Sequence, residues 1–179
     1  MREDPFSLTG ARVLVTGASS GLGRAIAIAC ARRGATGGAS GRDPARLAET
    51  RGPPAGDGHL AVTDDLVEPD ERERPVAACG SLNGVVHCAG ISRLAPMRMI
   101  GAQHLSDGWK INYEAPMLLT QRILAKNQVA ANGSILFLSS IAAFIGVAGV
   151  GVYSGTKAAL IATMRCLAME GVKRGIRVN

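Results

Sequence analysis

The sequence predicts an α/β fold: a doubly wound parallel sheet with helices on both faces. Three observations point to it. Short apolar runs alternate with segments of helical periodicity, the pattern of strands buried beneath crossover helices. The first run passes directly into a glycine-rich turn, Gly17-Ala18-Ser19-Ser20-Gly21-Leu22-Gly23, and then into a helical pattern. The chain has 179 residues, 47% of them hydrophobic, enough for one sizeable core and too little for two ordinary domains. Residues 1–179 are therefore read as a single domain.

Ala11 to Thr16 reads as the first strand, and Leu22, Ile26 and Ala29 then recur at helical spacing. In such a strand–turn–helix unit, glycines let the backbone approach a pyrophosphate, whose charge meets the free N–H groups at the helix N-terminus. A purely structural turn would use the same residues, but its position after a strand favours a nucleotide. No Walker lysine follows, and no Gly-x-Ser-x-Gly elbow occurs, which sets aside P-loop and hydrolase chemistry. The second strand is expected near Ala35 to Ser40, although Thr36-Gly37-Gly38-Ala39-Ser40 is poor strand material. It leads to Gly41-Arg42, roughly twenty residues past the glycine turn, where Rossmann folds inspect the adenosine ribose. Arg42 suits a 2′-phosphate, or it is a solvated residue opening a helix over Pro44 to Thr50; the residues alone leave both readings open.

Arg51 to Gly58 is a breaker-rich loop, and His59 to Val62 is the third strand, followed by Asp64-Asp65-Leu66. Glu68 to Arg74 reads as a charged, solvated stretch in which Pro69 and Pro75 limit any helix. Gly84 to Cys88 is a fourth strand, closed by Ala89-Gly90, small enough for close approach of a flat ligand. One long helix is expected from Ser106 to Ala125, carrying Asn112 and kinked at Pro116. Asn132-Gly133 signals a turn before the strand Ser134 to Ser140. A last helix, Ser154 to Arg174, carries one stripe of Leu160, Met164 and Leu167 and another of Ala158, Ile161 and Ala168. Ligands of parallel sheets bind at the carboxyl ends of the strands, so the glycine turn, Asp65, Ala89-Gly90 and Ser140 should converge on one edge.

Where that helix opens, Tyr153 and Lys157 have the spacing of one helical turn. A free phenol titrates at about pH 10 and exchanges protons poorly at neutrality; an adjacent ammonium favours the phenolate. Elsewhere the same spacing is an ordinary surface pair.

Composition excludes several classes. Cys30, Cys79, Cys88 and Cys166 form no CxxC pair, and His59, His87 and His104 are scattered, so no metal is expected. The net charge of +6 is spread along the chain without a dense patch, and aromatic residues make up only 3%, so nucleic acid is not the expected partner. No apolar run has membrane-spanning length, and the start, Met1-Arg2-Glu3-Asp4-Pro5, has no signal-peptide core, giving a soluble, cytoplasmic expectation.

Taken in order, these motifs resemble the classical short-chain dehydrogenase/reductase family across nearly the whole chain. Thr16-Gly17-Ala18-Ser19-Ser20-Gly21-Leu22-Gly23 is similar to its cofactor motif, Asp65-Leu66 to its adenine-contacting pair, and Ala89-Gly90 to the end of its Asn-Asn-Ala-Gly motif. Asn112, Ser140, Tyr153 and Lys157 resemble its catalytic set. The resemblance implies hydride transfer between a nicotinamide cofactor and a small carbonyl or alcohol substrate. Tyr153 would be the general acid/base, Ser140 would orient the carbonyl oxygen, Lys157 would support the phenolate and the nicotinamide ribose, and Asn112 would support a water chain. Gly17, Ser19, Ser20, Gly21, Leu22, Gly23, Arg42, Asp65, Leu66, Ala89, Gly90, Tyr153 and Lys157 would contact the cofactor. Arg42 at the ribose position favours NADP(H) over NAD(H). Ser140 is preferred to Ser139 because strand alternation turns adjacent side chains to opposite faces. Family members commonly assemble as homodimers or homotetramers, which the apolar last helix would allow.

Three departures stand out. His87-Cys88 replaces two asparagines that tie strands and loops together, placing local stability in question more than chemistry. The second strand is glycine-laden, and the segments around Pro53 and Arg72 are short for helices. The chain also stops at Asn179, where the family enters a sixth strand followed by a substrate lid and a last strand, so a C-terminally incomplete domain, a fragment of a longer enzyme, is expected. Two functions follow: an NADP(H)-dependent carbonyl reductase or alcohol dehydrogenase, or a non-catalytic nucleotide-binding or scaffolding protein without a lid.

Overall fold

The computed structural model describes residues 4–51 and 58–179. Residues 52–57, most of the expected breaker-rich loop, lie outside the described residues. The elements run β1 (Arg12–Val15), α1 (Gly21–Arg32), β2 (Thr36–Gly41), α2 (Pro44–Arg51), β3 (His59–Thr63), α3 (Pro69–Cys79) and β4 (Leu82–His87). They continue with α4 (Ala102–Trp109), a π-helical turn Lys110–Glu114, α5 (Ala115–Ala125), β5 (Val129–Phe137), α6 (Gly151–Gly171) and β6 (Arg177–Val178). All strands pair in parallel, in the order β3-β2-β1-β4-β5-β6. The sequence order reverses between β1 and β4, and the chain ends of the strands open there into a crevice.

Alternation along β1 divides the interior. Leu14 joins a cluster with Val76, Leu119, Ile123 and Leu160, under α3, α5 and α6. Val15 joins Ala18 and Leu47 with Ile26 and Ala27, under α1 and α2. Each aliphatic side chain buried in this way stabilises the fold by roughly 1.5–3 kcal/mol relative to exposure.

Several elements differ from the sequence reading, each for a packing reason. In α1 the inward residues are Gly23, Ile26 and Ala27, while Leu22 is 67% exposed. A Cβ on Gly23 would collide with the Gly17 carbonyl, and that close approach sets the roll of the helix. The glycine-laden β2 does form a strand. Gly37 has φ +144, and a side chain there would strike the Val13 carbonyl, so the residue that weakens the strand locally is the one its neighbour admits.

The segment read as solvated is α3, which continues through Pro75. Arg72, Pro75, Val76 and Cys79 make a buried stripe at helical spacing, and this packing outweighs the hydrogen bond that the proline removes. The single long helix is instead α4, the π-turn and α5. A proline at 116 cannot donate to the Asn112 carbonyl, the acceptor four residues before it, and immediately upstream the Ala115 N–H bonds the Lys110 carbonyl five residues back. Asn132-Gly133 lies inside β5, with Asn132 at φ +62 and the β4–β5 register shifted between Leu82 and Gly84. Finally, α6 begins at Gly151, which brings Tyr153 into its first turn.

Candidate active site

The crevice at the carboxyl edge of the sheet is a cleft of about 430 Å³. Its floor is the glycine turn. Gly17 has φ +64, and a Cβ there would lie 2.7 Å from the Ala89 amide nitrogen, so the turn after β1 and the turn after β4 are stacked as closely as backbone allows. Thr16, fully buried at the end of β1, fixes the second turn by accepting from the Cys88 and Ala89 N–H groups at 3.1 and 3.2 Å. Ser19, Ser20, Gly21, Leu22 and Gly23 complete this wall at the start of α1. The surface is a cradle of backbone N–H groups at a helix N-terminus, the arrangement that suits a pyrophosphate.

One end of the cleft is formed by Gly41, Arg42, Asp65 and Leu66. A Cβ on Gly41 would lie 3.4 Å from the Ser19 side chain, and Arg42 is exposed beside it. The loop 64–67 is held from α3: Arg72 Nε donates to the Leu66 carbonyl at 2.8 Å, its terminal nitrogen to the Val67 carbonyl at 3.0 Å, and the Asp65 N–H to Glu71 at 2.6 Å. Behind this loop the Ser40 hydroxyl donates to the Asp64 carboxylate, 2.7 Å from its nearer oxygen. Burial pushes the Asp64 carboxyl up to about 6, and the Ser40 bond only partly opposes it. Sequence reasoning placed Thr16 in the glycine motif without its bonding role and missed Asp64 and Arg72, because these roles depend on partners far along the chain. The one available signal was a helical stripe in which Arg72 shares the face of Val76 and Cys79.

At the other end, Ala89, Gly90, Tyr153 and Lys157 line the same cleft, so every residue expected at the cofactor lines this one cleft. The Lys157 ammonium donates to the Leu138 carbonyl at 2.6 Å and lies 5.7 Å from the centre of the Tyr153 ring. It is 95% buried, and burial depresses its pKa; the Cys88 thiol beside it is pushed up to about 11, again by burial. Asn112 stands behind this end rather than in it. Its carboxamide accepts from the Ile91 N–H at 2.7 Å and donates to the Ile91 carbonyl at 2.9 Å and to Thr156 at 3.2 Å. A Cβ on Gly90 would sit 3.1 Å from its oxygen and 3.7 Å from Lys157 Nζ.

The two serines part company, though not through strand alternation, since β5 ends at Phe137 before either of them. The Ser139 residue lines the cleft, but its hydroxyl is committed to the Lys157 carbonyl at 3.1 Å. The Ser140 oxygen accepts from the Ala142 N–H at 3.2 Å, capping the turn Ile141–Ala143, and keeps its own proton to donate. His87, which placed local stability in question, is packed between Phe137 of β5 and Thr120 of α5. Its ring stacks on Phe137 at 4.7 Å, and Nε2 lies 2.9 Å from the Thr120 hydroxyl. Among the described residues no cluster of metal-ligating side chains occurs, and no helix is long and apolar enough to cross a membrane.

A topological switch point, a glycine cradle and a tyrosine–lysine pair in one crevice define a nicotinamide-dependent oxidoreductase domain. The chain belongs to the short-chain dehydrogenase family, which it matches over residues 11–179. It is 32% identical to D-erythrulose reductase of Gallus gallus over 179 residues, 99% of this chain and 72% of that protein. It is 33% identical to L-rhamnose 1-dehydrogenase (NADP(+)) of Thermoplasma acidophilum, covering 95% of this chain and 70% of that one. Among solved structures, a short chain dehydrogenase from Salmonella enterica serovar Typhi is 31% identical with a TM-score of 0.87, covering 100% of this chain and 78% of that one.

Proposed function

We propose that the chain is an NADP(H)-dependent carbonyl reductase or alcohol dehydrogenase acting on a small molecule, with Tyr153 as the general acid/base. One observation carries the reading: the Tyr153 phenol and the Lys157 ammonium share a cleft with the glycine cradle. The glycine turn would hold the pyrophosphate, loop 64–67 the adenine and Arg42 the 2′-phosphate. When bound, the cofactor supplies or receives the hydride.

The protein's part is to place and move a proton. In the reductive direction Ser140 donates its free hydroxyl proton to the carbonyl oxygen and fixes its position. Tyr153 Oη delivers a proton to the same oxygen as it becomes an alkoxide. Lys157 stabilises the phenolate left behind, and with one proton on the Leu138 carbonyl it has others for a ribose hydroxyl. Asn112 uses its carboxamide to hold Ile91, so a water leading back to Tyr153 would rest on its backbone carbonyl, from which Pro116 withholds the usual helical donor. The protein would work in the cytoplasm as a homodimer or homotetramer; Leu118 and Met169 lie exposed on α5 and α6.

Tyr153→Phe is the test. Carbonyl-dependent NADPH oxidation should fall about 10²- to 10⁴-fold, the usual worth of general acid catalysis, while NADPH binding followed by fluorescence stays unchanged. Equal turnover in the variant would remove Tyr153 from the chemistry, and a wild-type chain that binds NADPH without turning over any carbonyl would favour a binding protein.

A further inference from the structure

His87 is a buried polar group that the proposed reaction leaves unused, and its proton accounting has a single solution. His87 at the end of β4 is 3% exposed, stacked nearly parallel on Phe137 at 11°, with Nε2 2.9 Å from Thr120 Oγ1. The same Oγ1 lies 2.8 Å from the Pro116 carbonyl oxygen. Thr120 has one hydroxyl proton, and a carbonyl can only accept, so that proton goes to Pro116. Nε2 must then carry a hydrogen and donate to Oγ1. Nδ1, which has no partner, is left as a bare lone pair, the cheaper of the two ways to leave a ring nitrogen unpaired.

The far end of this chain of bonds is Pro116, the residue whose missing N–H interrupts the helix at Asn112. Over Lys110–Glu114 the helix is a π-turn, so the ordinary ladder does not fix where Asn112 sits. Position there matters: the Asn112 carboxamide braces Ile91 in the cleft wall and lies against the turn that also abuts Lys157. We propose that His87 is a positioning residue, which through Thr120 and the Pro116 carbonyl fixes the turn after the π-segment and so holds Asn112 beside Lys157. The proposal rests on the hydride-transfer reading for its kinetic effect but not for its structural one.

Three measurements test it. Nitrogen-15 NMR of the wild-type protein should show His87 protonated at Nε2 and bare at Nδ1; the opposite tautomer overturns the proposal. Thr120→Val, which keeps the shape and loses the hydroxyl, should lower kcat for carbonyl reduction about tenfold, the order expected of a small misplacement, with the NADPH KM unchanged. Thr120→Ser should restore most of that loss, and His87→Phe should behave like Thr120→Val. Valine and serine variants with the same kcat overturn it, as does a KM effect without a kcat effect. The Asn112 carboxamide hydrogens, protected in the wild type, should exchange faster with solvent in Thr120→Val; unchanged exchange overturns the proposal even if the variants remain folded. If the wild-type chain reduces no carbonyl, the hydride-transfer reading fails, and the exchange experiment still decides the positioning role.

Discussion

Replacing His87 by phenylalanine should make the fold more resistant to acid than the native chain. Burial drives the His87 pKa down from 6.5 to about 3. The folded-state value is depressed, so the unfolded chain binds a proton below about pH 6.5 that the folded chain refuses until about pH 3. The contribution is therefore fully present above pH 6.5 and is lost as pH falls through that window. At pH 5 the loss is about one and a half pH units, or about 2 kcal/mol; at pH 7.5 it is close to zero. Phenylalanine keeps the stack on Phe137 and gives up one hydrogen bond to Thr120, a cost of about 1 kcal/mol at either pH. The variant should thus be less stable than the native chain by about 1 kcal/mol at pH 7.5 and more stable by about the same amount at pH 5. Urea unfolding of both chains at the two pH values measures it, and other titrating groups, Asp64 among them, largely cancel in the difference. With a slope of about 2 kcal/mol/M, the gap between midpoints should move by about 1 M and change sign. A gap that stays constant would mean that the folded chain protonates His87 freely, and the buried neutral ring would be wrong.

Other outcomes follow from the same structure. Arg42→Ala should raise the NADPH KM about tenfold and leave the NADH KM alone, the low end for a charged contact because Arg42 is exposed; equal effects on both cofactors refute the 2′-phosphate assignment. Asp64→Asn should gain about 2 kcal/mol relative to the native chain between pH 4 and pH 8. The folded carboxyl has its pKa raised from 3.8 to about 6, so its contribution is present in acid and lost as pH rises through that range. Denaturant unfolding at the two pH values would show a flat difference if Asp64 were solvated. Gly23→Ala, which in an ordinary helix would gain about 1 kcal/mol, should instead abolish NADPH binding in a fluorescence titration, because the added methyl strikes the Gly17 carbonyl.

The parts of the site visible in the sequence are those in which chemistry and spacing are local. A strand that runs into Gly17 to Gly23, the Ala89-Gly90 turn, and Tyr153 four residues before Lys157 each declare themselves within a few residues, and the fold brings them into one cleft. What stayed hidden depends on partners far along the chain. Thr16 reads as the last residue of an apolar run until Cys88 and Ala89 are found bonded to it. Arg72 reads as a solvated charge until two carbonyls of the loop 64–67 meet its guanidinium. Gly37 reads as a strand breaker because propensity counts its entropy and not the Val13 carbonyl that leaves no room for anything larger.

Pro116 carries that lesson furthest, since the sequence marks the interruption but not the form it takes. Its missing hydrogen bond is accompanied by a change of helix type. Here the helix absorbs it locally: the π-turn sits just before the proline, Thr120 caps the proline carbonyl with its hydroxyl, and Asn112 is left with its carboxamide turned to Ile91 and Thr156. An uninterrupted α-helix would have given the Asn112 carbonyl the N–H of residue 116, which a proline does not have. The local rule is broken one turn from the place where the proposed proton path must begin, and the buried pair His87 and Thr120 supplies from the side the support that the backbone no longer gives.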